Sequence, residues 1–100
     1  MQWEIKIKSI PGGFTYDPLN LDGVEVGDEV FWRNDDNQAH WPGVVNYPYY
    51  FMPNQIAPGS TSNAWVPDAS VVDQTISYVD NPGTGGGPGT GPTATIAVSG

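Results

Sequence analysis

From Gln2 to Lys8 the chain alternates. Trp3, Ile5 and Ile7 fall on one side, and Gln2, Glu4, Lys6 and Lys8 on the other. A period of two with β-branched residues predicts a half-buried strand. Pro11-Gly12-Gly13 ends it, and Phe14 follows as a core anchor. Leu19, Leu21, Val24 and Val26 mark a second extended stretch, broken at Asp22-Gly23. Gly27-Asp28 reads as a tight turn, because glycine adopts positive φ without steric cost. Glu29 to Asn34 is the next predicted strand, with Val30 and Trp32 on one face.

Asn34-Asp35-Asp36-Asn37 is a run of turn formers. Extended structure resumes from Ala39 to Val45, around His40 and Trp41. From Asn46 to Pro58 neither a helical nor a strand period survives. Tyr47, Tyr49, Tyr50 and Phe51 are interleaved there with Pro48, Pro53 and Pro58, which predicts a long packed loop. Ser60 to Val66, Gln74 to Val79 and Thr93 to Val98 are the remaining strand candidates. Residues 81–92 are rich in Gly and Pro. They resemble a linker in composition, but strands on both sides require a loop, and closure entropy grows only slowly with loop length. Many short strands with turn signals and no helical pattern predict an all-β, antiparallel sandwich or barrel of about seven or eight strands.

Composition narrows the function. At 100 residues the chain suits one domain with one modest core, so 1–100 is read as a single unit. Eleven acidic residues against three basic ones leave a net charge of -8. That balance disfavours nucleic acid, whose phosphates need Lys and Arg, and disfavours an anionic membrane surface. No apolar run is long enough to insert in a bilayer. The absence of cysteine removes thiolate metal sites and cysteine nucleophiles together. No calcium-loop spacing, phosphate-binding glycine loop or nucleophile elbow is present.

The block Val24 to His40 resembles the cupredoxin family of plastocyanin and azurin. A Gly-Asp turn (Gly27-Asp28) precedes a strand with Trp32 and Asn34, and His40 comes a few residues later. Phe51 with Ile56-Ala57-Pro58-Gly59-Ser60-Thr61 is similar to the family's Phe…Pro-Gly-x-Thr segment. Ile76-Ser77-Tyr78 resembles the penultimate strand, and Ala94 to Val98 the closing one. The resemblance covers nearly the whole chain in the family's order and implies a cupredoxin-like Greek-key β-sandwich. It also implies a copper site of one Cys, two His and an axial Met. Of that set only His40 carries over. The family's other ligands follow the penultimate strand, where this chain has Val79, Asp80, Asn81 and the loop 81–92.

The expectation is therefore a copper-free, non-enzymatic domain without a cofactor. It would act as a structural or binding module within a larger extracellular or periplasmic protein, as a monomer. Two alternatives stand beside it. His40, with Asp80 as a hard partner, is a candidate copper or zinc site. Trp41, Tyr47, Tyr49, Tyr50 and Phe51 are a candidate surface for a protein or carbohydrate partner, since Tyr and Trp are favoured at interfaces.

Overall fold

In the computed structural model the described residues are 1–44, 47–52, 54–81 and 90–100, with Thr90 described by its backbone alone. Among them are seven strands: β1 (Gln2–Ile10), β2 (Gly13–Asp17), β3 (Asn20–Glu25), β4 (Glu29–Asn34), β5 (Pro42–Gly43), β6 (Thr75–Asp80) and β7 (Thr90–Ser99). A single 3₁₀ turn, Ala69–Val71, precedes β6. The strands form two sheets, ordered β2-β1-β4 and β3-β7-β6-β5.

The alternation of β1 decides which face closes the core. β1 lies parallel to β4, with Trp3 beside Val30, Ile5 beside Trp32 and Ile7 beside Asn34. Ile5, Ile7, Val30 and Trp32 are fully buried. In the facing sheet β6 and β7 are antiparallel, with Ile76 opposite Ile96 and Tyr78 opposite Ala94. The two inner faces interdigitate, as sandwiches require. Trp32 fills the gap between sheets, edge-on to Tyr78 at 5.6 Å, and its indole N–H donates to the Tyr78 hydroxyl at 3.3 Å.

β3 carries a register shift between Leu21 and Val24 where it runs parallel to β7. The irregularity falls on Asp22-Gly23, and Gly23 takes φ +83°. Because the alternation is reset there, Leu21 and Val24 both turn inward, while Leu19 and Val26 stay exposed. Gly27 adopts φ +91°, as the turn demands. Asp28 then accepts from the Trp3 indole N–H at 2.9 Å and from the Glu25 amide at 3.0 Å, tying the turn to β1. These bonds, the Trp3 one first, hold the Asp28 carboxyl down at about 2.

The sheets are mixed and not purely antiparallel as expected, since β1 runs parallel to β4 and β3 parallel to β7. Two expected elements also differ. Ser60 to Val66 is not a continuous strand: it meets β4 only through isolated bridges, Arg33 with Thr61 and Val30 with Trp65. The reason is local. The Trp32 amide donates to the Ser62 hydroxyl at 2.9 Å, so a side chain replaces one rung of the ladder. The last strand is longer than Thr93 to Val98. It begins at Thr90, so the end of the Gly/Pro-rich stretch 81–92 belongs to β7, and 82–89 lie outside the described residues.

Candidate functional site

The end of the sandwich that holds His40 is built from Asn34 outward. Asn34 is fully buried at the end of β4. Its amide donates to the Gln38 carbonyl at 2.7 Å and the Ile56 carbonyl at 2.9 Å, and its oxygen accepts from the Asp36 amide at 3.0 Å. One side chain thus folds the turn of Asp35 and Asp36 back toward the sheet. His40 and Ile56 then exchange backbone hydrogen bonds at 2.8 and 3.2 Å, which fixes the His40 backbone.

The His40 side chain is 2% exposed, with Phe14 against it at a ring separation of 4.2 Å. Phe14 in turn packs over Gly91, where an added Cβ would meet the Phe14 ring. Both imidazole nitrogens meet carboxylates. Nδ1 lies 3.0 Å from Asp80 Oδ2, and Nε2 lies 2.6 Å from Asp36 Oδ2. The carboxylates are anchored too: Asp80 Oδ1 accepts from the Trp41 amide at 2.6 Å, and Asp36 Oδ1 accepts from the Ser9 hydroxyl.

A neutral imidazole has one N–H and can donate to only one of these carboxylates. The imidazolium donates to both. Burial pulls the His40 pKa down, but the hydrogen bonds and charges of Asp80 and Asp36 outweigh it and leave it raised. Asp36 is lowered, first by the Ser9 hydroxyl and also by His40. The set acts as a charged clamp joining β1, the turn after β4, and β6.

The cupredoxin resemblance implies copper here, and the residues do not fit it. The chain has no thiolate. A metal-bound histidine presents one nitrogen to the ion and uses the other for an outer hydrogen bond. His40 has each nitrogen against its own carboxylate, on opposite sides of the ring. Asp80, the candidate hard partner, meets His40 as a hydrogen-bond partner. Among the described residues no group of three or more His, Cys, Asp or Glu converges to hold a metal ion.

The aromatic set divides. Trp41 is 5% exposed, with its indole N–H donating to the Met52 carbonyl at 3.2 Å. Phe51 is also buried, between Trp32 at 4.8 Å and Trp65 at 5.0 Å. Both belong to the core and are not available as surface. Tyr47 and Tyr49 are about two-thirds exposed, and Tyr50 is partly so. Tyr49 stands edge-on over Trp41 at 5.2 Å.

Trp65, which the sequence did not single out, completes this region. Tyr50 and Trp65 flank a cleft of about 240 Å³ with Val71, Asp68 and Ser70. The signal for it was present, a large aromatic at the end of the Ser60 to Val66 run, but nothing in the spacing ties it to Tyr50. A second groove of about 280 Å³, along 54–57 and 60–63, contains no titratable side chain.

No protein-family model matches the chain, and no curated protein matches it by sequence. Solved structures do match. A copper(I) form of an amicyanin mutant is 17% identical, with a TM-score of 0.66 over 98% of this chain and 82% of that one. A purple cupredoxin from Nitrosopumilus maritimus is 23% identical, with a TM-score of 0.67 over 96% of this chain and 98% of that one. At such identities the likeness speaks for fold alone. The chain has the cupredoxin fold and lacks the cysteine of a blue-copper site. Among the described residues no helix is long and apolar enough to cross a membrane.

Proposed function

We propose that this chain is a copper-free cupredoxin-fold domain that works as a non-catalytic binding module, not as an electron carrier. One observation carries the proposal: both ring nitrogens of His40 are committed to Asp80 and Asp36. The side chain that the family resemblance marks as a ligand serves here as an internal strut. Holding two strands and a turn together is a structural task, and it leaves the exposed tyrosines of the neighbouring loop free for recognition. Such a module fits an exported parent protein, as the resemblance implies.

The test is calorimetry with Cu(II) and Zn(II), on the parent and on His40→Gln, with visible absorption recorded alongside. The expected result is no tight heat signal and no intense visible band in either protein. Tight binding to the parent that His40→Gln abolishes would overturn the proposal.

A further inference from the structure

From the cleft beside the tyrosine loop we infer a docking site for an arginine side chain of a protein partner, laid against the exposed ring surface of Tyr50 and Trp65 and paired with Asp68. It rests on the binding-module reading and names the site and the chemistry recognised.

The rings come first. Tyr50 and Trp65 have centroids 6.0 Å apart at an interplanar angle of 44°, a tilted packed pair that lines the cleft. Phe51 packs edge-on at 5.0 Å to each, so the pair is held in place from the core side. Tyr50 is 38% exposed and Trp65 partly so, leaving ring surface to cover. A cation within about 6 Å of an aromatic centroid is attracted by the ring's negative face. Guanidinium is planar, stacks on such faces and is weakly hydrated, so it suits this surface better than an ammonium.

The charge comes second. Among the described residues Asp68 is the only charged side chain lining the cleft. Both bonds from Ser70, amide at 2.9 Å and hydroxyl at 2.5 Å, fall on Asp68 Oδ1. Oδ2 accepts no hydrogen bond from the described residues, so it is free for an incoming N–H. The Ser70 hydroxyl and then its amide lower the Asp68 pKa, which keeps the carboxylate ionised. Burial and then the Asp68 charge raise the Tyr50 phenol, placing ring and carboxylate in one field.

The absence of competition comes third. None of the three basic residues lines the cleft. Lys8 pairs with Asp17, Arg33 pairs with Asp35, and Lys6 lies on β1. The net charge of -8 draws cations toward the whole surface.

The experiment is an NMR titration of the full chain with the blocked peptide acetyl-Gly-Arg-Gly-amide. The matched peptide with citrulline, which is isosteric and neutral, is the control. Cellobiose tests a sugar instead. The expected result is saturable shifts at the Trp65 indole and the amides near Asp68 and Ser70, in the millimolar range. The citrulline peptide and cellobiose should leave these signals in place. Asp68→Asn keeps an oxygen for the Ser70 amide but loses the charge, and should weaken binding about fivefold or more. Trp65→Leu should do the same, and an unchanged shift pattern elsewhere in Asp68→Asn guards against misfolding.

Shifts that do not saturate, that map away from the cleft, or that citrulline reproduces would overturn the inference. So would a response to cellobiose alone, or an Asp68→Asn protein that binds as the parent does. These outcomes are separate from the copper result, which bears on His40 at a different group of residues.

Discussion

His40 shows how the partners of one side chain bear on a functional reading. Its position relative to Asn34 suggests a ligand, and its hydrogen bonds make it a strut. Removing it would leave two largely buried carboxylates facing one another without a cation. Breaking a buried charge pair on one side costs about 3–5 kcal/mol. The His40→Gln protein, which can still donate to one carboxylate, should lose about 2–3 kcal/mol in urea unfolding near pH 6. The pH dependence has a definite sign. The folded pKa of His40 is raised, so the unfolded chain releases that proton first as pH rises. Its stabilisation is full below the unfolded value of about 6.5 and is lost as pH climbs through the higher folded value. The gap between parent and His40→Gln should therefore narrow from pH 6 toward pH 9. A gap constant over that range would show that His40 does not carry the proton assigned to it.

At the scale of elements, the connections matter more than the strands. β5 spans only Pro42–Gly43, yet it pairs with Asp80 and Val79 at the edge of the second sheet. It sits there because Gly43 has no side chain. A Cβ at Gly43 would lie 2.7 Å from the Pro48 carbonyl oxygen and 2.7 Å from the Asn81 amide nitrogen. The Asn81 side chain could shift, but the Pro48 backbone could not do so cheaply. Gly43→Ala is thus expected to cost about 1–3 kcal/mol by overpacking. Thermal denaturation checks this, and a Tm equal to the parent's would mean that the Pro48 turn yields. Nothing in the sequence marks Gly43, since its φ is ordinary and its crowding comes from residues five and thirty-eight positions away. The Asp22-Gly23 break was visible because it interrupts a pattern. The 60–66 segment departs from a continuous strand because the Ser62 hydroxyl stands in for a carbonyl, which no alternation records.

Over the whole molecule the charge is lopsided. Eleven acidic residues face three basic ones, and the exposed pairs Lys8–Asp17 and Arg33–Asp35 add little stability. Self-repulsion of the remaining carboxylates works against the compact state. Raising the salt from about 0.01 to 0.5 M shortens the screening length from roughly 30 Å to under 10 Å. The Tm should rise across that series, because the buried His40 clamp is screened far less than the surface. A falling Tm in sodium chloride would mean that attractive surface pairs outweigh the repulsion.

The sequence by itself determined the fold class, though not the parallel pairing of β1 with β4 and of β3 with β7. Period-two alternation on β1 and β4, the Gly27-Asp28 turn and the series from Val24 to Val98 suffice to specify two facing sheets, since burial of one face leaves each strand a single inward register. It also ruled out a thiolate site, because composition does not depend on folding. Only the tertiary structure decided what the singled-out residues do. Asp36 and Asp80 lie forty-four positions apart and meet at one imidazole through the packing of a turn against β6. Trp41 and Phe51 look in sequence like Tyr49 and Tyr50, yet the first two face the core and the others face water. Outside regular strands no period tells inward from outward, so the loop's division, and the pairing of Tyr50 with Trp65, follow from the shape of the core alone.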